Sequence, residues 1–166
     1  IGSEGVSGMQ GDYFEYVMAS LCHAQGVGLR ECLAHSFCLS ADVTAAYDPN
    51  FSEVYERRNS AYANYGIGLC KYTGSGGKGG ASDASAEVVG KIRKLFNDEG
   101  VIWQMAELGK TDAGGGGTIA FIAALYGMEV IDSGVSVLSM HAPWEVTSKA
   151  DVYEAYKCYK AFLKDA

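Results

Sequence analysis

The sequence predicts an α/β fold: a central, largely parallel sheet with helices on both faces, in three α/β/α layers. Three observations carry this. Short apolar runs with period-2 patterning alternate with helical-period segments, the pattern of parallel strands joined by crossovers. The 166 residues are 48% apolar and 20% charged, which suits one globular domain with a real core. Glycine-rich breaks punctuate the elements, and no internal repeat or domain boundary is visible.

Residues 1–11 are rich in Gly and Ser and read as a loop. Asp12 suits the cap of a helix reaching about Gln25, with Phe14, Val17, Met18 and Leu21 as its apolar face. Gly26 and Gly28 would end it. A strand is expected from His35 to Asp42, with Phe37, Leu39 and Ala41 alternating with Ser36, Cys38 and Ser40. Residues 43–64 are polar and Tyr-rich, with Pro49-Asn50 as a turn. Ile67 to Thr73 reads as a strand, and Gly74 to Gly80 as a glycine loop containing Lys78. Ser82 or Asp83 would cap a helix to about Asp98, closed by Gly100. Val101 to Leu108 reads as a buried strand, Gly109 to Gly117 as a second glycine loop, and Thr118 to Tyr126 as a short apolar helix. Strands at Glu129–Ile131 and Val135–Met140 would be separated by Asp132-Ser133-Gly134. A last helix begins near Ser148 and Asp151 and places Val152, Tyr156, Tyr159 and Leu163 on one apolar face.

Composition bounds the function. The net charge is −7, and an acidic surface repels phosphate backbones, so nucleic-acid binding is not expected. No window approaches the roughly 20 apolar residues of a membrane helix, so no membrane association is expected. Ile1-Gly2-Ser3 has neither the basic nor the apolar region of a signal peptide and reads as a cut boundary rather than a natural start. The five cysteines form no C-x-x-C pair and no disulfide framework, which points to a reducing, cytoplasmic location. Cys22, His23, Cys32, His35 and Cys38 crowd together, but their spacing fits no common zinc pattern.

Two glycine loops invite phosphate-binding readings. Gly74-Ser75-Gly76-Gly77-Lys78-Gly79 satisfies G-x-G-x-x-G, and Glu107 ends the next strand where a ribose-binding acid would sit. A glycine-rich run meets that pattern easily, and the expected helix begins several residues too late. Gly109-Lys110-Thr111 resembles the end of a P-loop, but Gln104 stands where its first glycine belongs.

Two polar residues sit at expected strand ends, where open α/β sheets collect ligands. Asp42 closes one strand and His141 another, and carboxylate and imidazole are ordinary zinc ligands. The plain alternatives are a turn-capping Asp and a hydrogen-bonded His. Two ligands do not make a zinc site, so any further ligands would come from outside these residues.

Taken in order, Ser40-Ala41-Asp42, Asp48-Pro49-Asn50, Asp112-x-x-x-Gly116-x-Thr118-Ile119 and Leu138-Ser139-Met140-His141 resemble the C-terminal part of the aspartyl aminopeptidase family of zinc peptidases. Ile1-Gly2-Ser3 is similar to the end of that family's Asp-x-Glu-Glu-Ile-Gly-Ser segment. Lys71-Tyr72-Thr73-Gly74, Gly77-Lys78 and Trp144 look closest to bacterial members. The resemblance implies a dizinc exopeptidase-like α/β/α domain with a largely parallel, mixed sheet. Residues 1–166 would be the C-terminal portion of its catalytic domain, without the N-terminal portion and the dimerisation insert. It implies two Zn2+ per complete subunit, with Asp42 on one and His141 on the other. The general base and the remaining ligands would precede Ile1, leaving this chain inactive alone.

The resemblance further implies a peptide substrate, a homo-oligomer (a dodecamer in the family), and an upstream part of the same chain as partner. Lys71 matches a lysine of the family's acidic-side-chain pocket; its alternative is a surface lysine. Gly116 and Thr118 would shape the substrate site or simply form a tight loop. Asp112 would bind the substrate amine or cap a turn. Ala45 and Asp48 stand where eukaryotic-type members carry histidines, which argues against a preference for acidic N-terminal residues. The competing readings are a non-catalytic truncated relative acting in assembly and a dinucleotide-binding domain using Gly74–Gly79.

Overall fold

The structure is a computed structural model that describes residues 4–76 and 79–165. The fold is α/β, as the alternation of patterns requires. Its central sheet holds β1 (Phe37–Ser40), β3 (Ile67–Cys70), β6 (Trp103–Met105) and β7 (Glu129–Gly134) in the order β1-β7-β3-β6. The β1/β7 and β3/β6 pairs are parallel and β3/β7 is antiparallel, so the sheet is mixed.

Strand alternation divides the core into two layers. Phe37 and Leu39 of β1, Ile131 of β7, and Ile67 and Leu69 of β3 point to one face. There they meet Val88, Ile92 and Phe96 of α3 (Ala86–Asp98) and Ala155 and Cys158 of α5 (Lys149–Asp165). Their neighbours Cys38 and Val130 point the other way and pack on Ala120 and Ala123 of α4 (Ala120–Leu125). Residues 38 and 39, or 130 and 131, thus serve opposite layers, which is what a sheet covered on both sides requires.

The strands continue past the sheet. β2 (Thr44–Ala45) pairs in parallel with β8 (Ser136–Leu138), and β8 pairs with β9 (Val146–Thr147). The β1–β2 segment therefore runs beside the β7–β8 segment as one long parallel ribbon. The break in that second segment falls at Val135, so Asp132-Ser133-Gly134 is strand rather than the expected turn.

Several expected elements shift. A helix α2 (Leu29–Ala34) precedes the first strand, which is shorter than expected. It follows α1 (Tyr13–Gln25), which ends at a left-handed Gly26 as expected. Phe14, Met18 and Cys22 form the inner side of α1, while Val17 and Leu21 are exposed. Residues 49–54 form a 3-10 turn in which Asp48 Oδ1 accepts the Asn50 N–H.

The first glycine loop is a β-hairpin of β4 (Tyr72–Ser75) and β5 (Gly79–Asp83). Gly77 and Lys78 lie outside the described residues. Ser82 and Asp83 are thereby used in a strand, and Ser85 caps α3 by accepting the Val88 N–H. Trp103–Met105 is an edge strand and only partly buried.

The last helix is rotated from its expected orientation. Val152, Tyr156 and Leu163 are exposed, at 48%, 59% and 84%, and Asp151, Glu154, Ala155, Cys158 and Ala161 face inward. The reason is hydrogen bonding. Asp151 accepts the Asn64 and Gly66 N–H groups at 2.8 and 2.9 Å, and Glu154 accepts the Ile102 N–H at 2.7 Å. These carboxylates satisfy loop amides that would otherwise be buried without partners.

Candidate functional site

Asp42 follows β1 and is half-buried; its Oδ1 accepts the N–H of Val43 at 2.9 Å. Across the ribbon stands Gly134. A Cβ there would lie 1.6 Å from the Asp42 carbonyl oxygen, so only glycine lets the two backbones close. The ladder resumes with Thr44 N–H to Val135 C=O at 3.0 Å and Ala46 N–H to Val137 C=O at 2.9 Å. Register is therefore fixed on both sides of Asp42.

His141 lies beyond β8, exposed, in a turn that holds Ser139 at φ +56° and His141 at φ +68°. Its backbone N–H donates to Glu145 Oε1 at 2.5 Å. Left-handed backbone at non-glycine residues is costly and concentrates where a side chain must be held in a set direction. Asp112, in the turn between Thr111 and Ala113, is a further case at φ +65°.

Asp42 falls between β1 and β2, and His141 falls in the turn three residues past β8, so each flanks a strand of the same ribbon, and no hydrogen bond joins them. In kind they suit zinc: one carboxylate and one imidazole. In number they fall short, because the described residues contain no group of three or more His, Cys, Asp or Glu able to hold a metal ion. Any metal they hold needs ligands from elsewhere.

Beneath Asp42 lies a buried polar cluster that sequence reading missed. Asp132 of β7 is 3% exposed and pairs in register with Ser40 on one side and Cys70 on the other. Thr118 Oγ1 donates to Asp132 Oδ2 at 2.8 Å and accepts the Ala120 N–H at 3.2 Å. Asp132 Oδ1 has no hydrogen-bond partner. Burial raises its pKa above the usual carboxylate range, opposed by the Ser40 and Thr118 hydroxyls and reinforced by Asp42. Burial, with the negative charges of Asp132, Glu107 and Asp42 outweighing a Thr44 hydrogen bond, pushes the Cys70 thiol to about 12. Cys70 is thus an inert packed thiol. The available signal was one carboxylate inside the apolar strand Glu129-Val130-Ile131-Asp132.

The other expected residues surround the second glycine loop. The Thr118 hydroxyl is engaged with Asp132, as described. Gly116 C=O accepts the Gly74 N–H at 3.1 Å, tying that loop to β4. Lys71 follows β3 and forms an ion pair with Asp83 across the base of the hairpin; both side chains are substantially exposed. Glu107 stands beside this pair. Burial pushes its carboxyl up to about 7, against the lowering effect of Lys71 and with a smaller raising effect from Asp83. Glu107, Tyr72, Gly109, Lys110, Thr111, Glu56 and Asn59 line a cleft of about 460 Å³.

With this geometry in view, the chain was compared with known proteins. Residues 1–163 match the family described as aminopeptidase I zinc metalloprotease (M18). The chain is 52% identical over 169 residues to an M18 family aminopeptidase 1 of Clostridium acetobutylicum, covering 99% of this chain and 36% of that protein. It superposes on the crystal structure of an M18 aminopeptidase from Thermotoga maritima with a TM-score of 0.92 at 41% identity, covering 100% of this chain and 38% of that one. It also matches the Saccharomyces cerevisiae mApe1 dodecamer, with a TM-score of 0.75 at 29% identity, covering 99% of this chain and 36% of that one. The chain thus spans little more than a third of the length of these relatives.

Proposed function

Because the chain belongs to the aminopeptidase I zinc metalloprotease (M18) family, we propose that it is the C-terminal portion of a metal-dependent aminopeptidase's catalytic domain. The complete protein removes the N-terminal residue of peptides at a co-catalytic pair of zinc ions. Asp42 holds one ion through its carboxylate, and His141 holds the other through its imidazole. Bound zinc supplies the Lewis acidity that polarises the scissile carbonyl and lowers the pKa of the attacking water.

The chain's own residues position and select. Gly134 lets the ribbon close so that the Asp42 backbone is fixed from both sides. The left-handed turn at Ser139–His141 fixes the backbone that carries the imidazole. Asp112, Gly116 and Thr118 shape the floor that receives the substrate's N-terminal end, with the Thr118 hydroxyl acting through Asp132 rather than on substrate. Lys71 stands at the side-chain pocket. The general base and the remaining metal ligands belong to the upstream part of the same polypeptide, so residues 1–166 alone are inactive. The complete protein forms a homo-oligomer, a dodecamer as in the S. cerevisiae structure, and works in the reducing cytoplasm, where five unpaired cysteines are stable.

The observation that carries this reading is the parallel ribbon of β1–β2 and β7–β8, in which Asp42 joins the two strands of one segment and the other segment leads into the turn that holds His141. The two alternatives fare less well. Gly74 and Ser75 on one side and Gly79 on the other belong to two antiparallel strands, with no helix opening directly after them, which is not the setting of a dinucleotide loop. A non-catalytic assembly role predicts no metal in the complete protein.

The test is metal analysis and peptide hydrolysis by the complete protein beside residues 1–166. Two zinc ions per complete subunit are expected, with loss of metal and at least about a 100-fold fall in kcat for Asp42→Ala or His141→Ala. Metal-dependent hydrolysis by residues 1–166 alone, or full metal retention in His141→Ala, would overturn the assignment.

A further inference from the structure

The buried cluster beneath Asp42 carries a charge that the ligand assignment leaves unexplained. Ser40 pairs in register with Asp132 and Thr44 with Ser136, four residues apart on each segment, so Asp42 faces Gly134, two residues beyond Asp132. The close approach of the Asp42 carbonyl oxygen to Gly134 marks the same crossing. Asp132 is 3% exposed and Ser40 2%, and neither Asp132 Oδ1 nor Ser40 Oγ has a hydrogen-bond partner. Asp132 Oδ2 is held by the Thr118 hydroxyl at 2.8 Å. A buried carboxylate is ordinarily paired with a cation or bound to a metal. Among the described residues, the groups that act on Asp132 are two hydroxyls, Ser40 and Thr118, and the like charge of Asp42; no cation is among them. Nor does Asp132 make up the missing ligands, because with Asp42 and His141 it forms no group able to hold an ion.

Building on the aminopeptidase reading, we propose that Asp132 is a positioning residue of the metal centre: its buried charge, fixed by Thr118, strengthens the hold of Asp42 on a zinc ion without itself touching the metal. Two carboxylates with no cation between them repel, and a cation bound at Asp42 removes that repulsion. The coupling is reciprocal, so whatever a bound ion gives to Asp132, Asp132 gives to the affinity for the ion. Burial keeps the coupling strong, because the strands around Asp132 screen its charge less than water would. The Thr118 hydroxyl serves the same end by fixing the carboxylate under the crossing of Asp42 and Gly134. Charge and tether are separable. Removing the carboxylate's charge leaves its shape in place, and removing the Thr118 hydroxyl leaves the charge.

The experiment uses the complete protein, stripped of metal and reloaded with zinc. Zinc affinities are measured by competition with a chelator of known strength, and the thermal midpoint of the metal-free protein reports the fold. Asp132→Asn keeps the shape and the acceptor for Thr118 and removes the charge. It should weaken the binding of one of the two zinc ions by about tenfold or more and leave the other nearly unchanged. Thr118→Val keeps the charge and removes its tether. It should weaken the same ion by a smaller factor while lowering the metal-free midpoint further. Asp42→Asn, in the metal-free protein, removes the like charge above Asp132 and should raise the midpoint, a measurement that does not depend on Asp132→Asn folding. Unchanged zinc affinity in Asp132→Asn, a larger zinc loss in Thr118→Val than in Asp132→Asn, or no rise for Asp42→Asn would each overturn the assignment of Asp132 alone. A wild type that binds no zinc would overturn the aminopeptidase reading, and this inference with it.

Discussion

At the scale of single residues, the site depends on small exclusions. Gly134 is required because the Asp42 carbonyl occupies the space of a side chain. Gly134→Ala must push the two strands of the ribbon apart, and both are hydrogen-bonded on either side of the contact. A loss of about 3 kcal/mol or more is expected in urea unfolding, since backbone rather than a flexible side chain has to move. Thr118 makes the complementary case. Thr118→Val keeps the volume and removes the hydrogen bond that Asp132 Oδ2 accepts at 2.8 Å. Asp132 Oδ1 is already without a hydrogen-bond partner, so the change leaves the buried carboxylate with only the neighbouring Ser40 hydroxyl to favour its charge and should cost about 2–3 kcal/mol. Thr118→Ser keeps the hydroxyl and should recover most of that loss. An unchanged midpoint for Thr118→Val would mean that Asp132 is solvated in a way its burial denies.

At the scale of elements, the sequence was legible where hydrophobic periodicity had no competitor. The β1 alternation, α3 and its Gly100 terminus, and the two-sided sheet all follow from spacing. It failed where polar residues face inward. Sequence patterning put Val152, Tyr156 and Leu163 of α5 in the core, yet Asp151 and Glu154 take that side because they bind the N–H groups of Asn64, Gly66 and Ile102. Periodicity weighs apolar residues and has no means of seeing backbone amides that arrive from distant loops. The same blindness turned Asp132 into a turn residue and Ser82 or Asp83 into a helix cap. Of the proposed site, Asp42 and His141 were legible as polar residues at strand ends, whereas the buried Asp132 beside Asp42 was not. The consequence for α5 is measurable. Asp151→Ala should destabilise by about 2–4 kcal/mol by stripping partners from two amides, whereas Leu163→Ser, at 84% exposure, should stay within about 0.5 kcal/mol in residues 1–166. A reversed order in urea unfolding would restore the orientation that periodicity suggested.

At the scale of the molecule, an acidic chain carries two carboxyl groups that burial disfavours as anions, Glu107 and Asp132. Glu107 goes from an ordinary 4.5 to about 7 on folding. Between those values the folded chain binds more protons than the unfolded chain, so stability falls as pH rises through the window and levels off above about 7. Asp132 acts in the same direction, whereas salt-bridged carboxylates, whose pKa values fall on folding, make many proteins less stable in acid. The urea midpoint of residues 1–166 should therefore be higher at pH 5.5 than at pH 7.5, and Glu107→Gln should flatten that difference. A midpoint that rises from pH 5.5 to 7.5 with Glu107 intact would show that this carboxyl is hydrated in the folded state and that burial does not set its protonation.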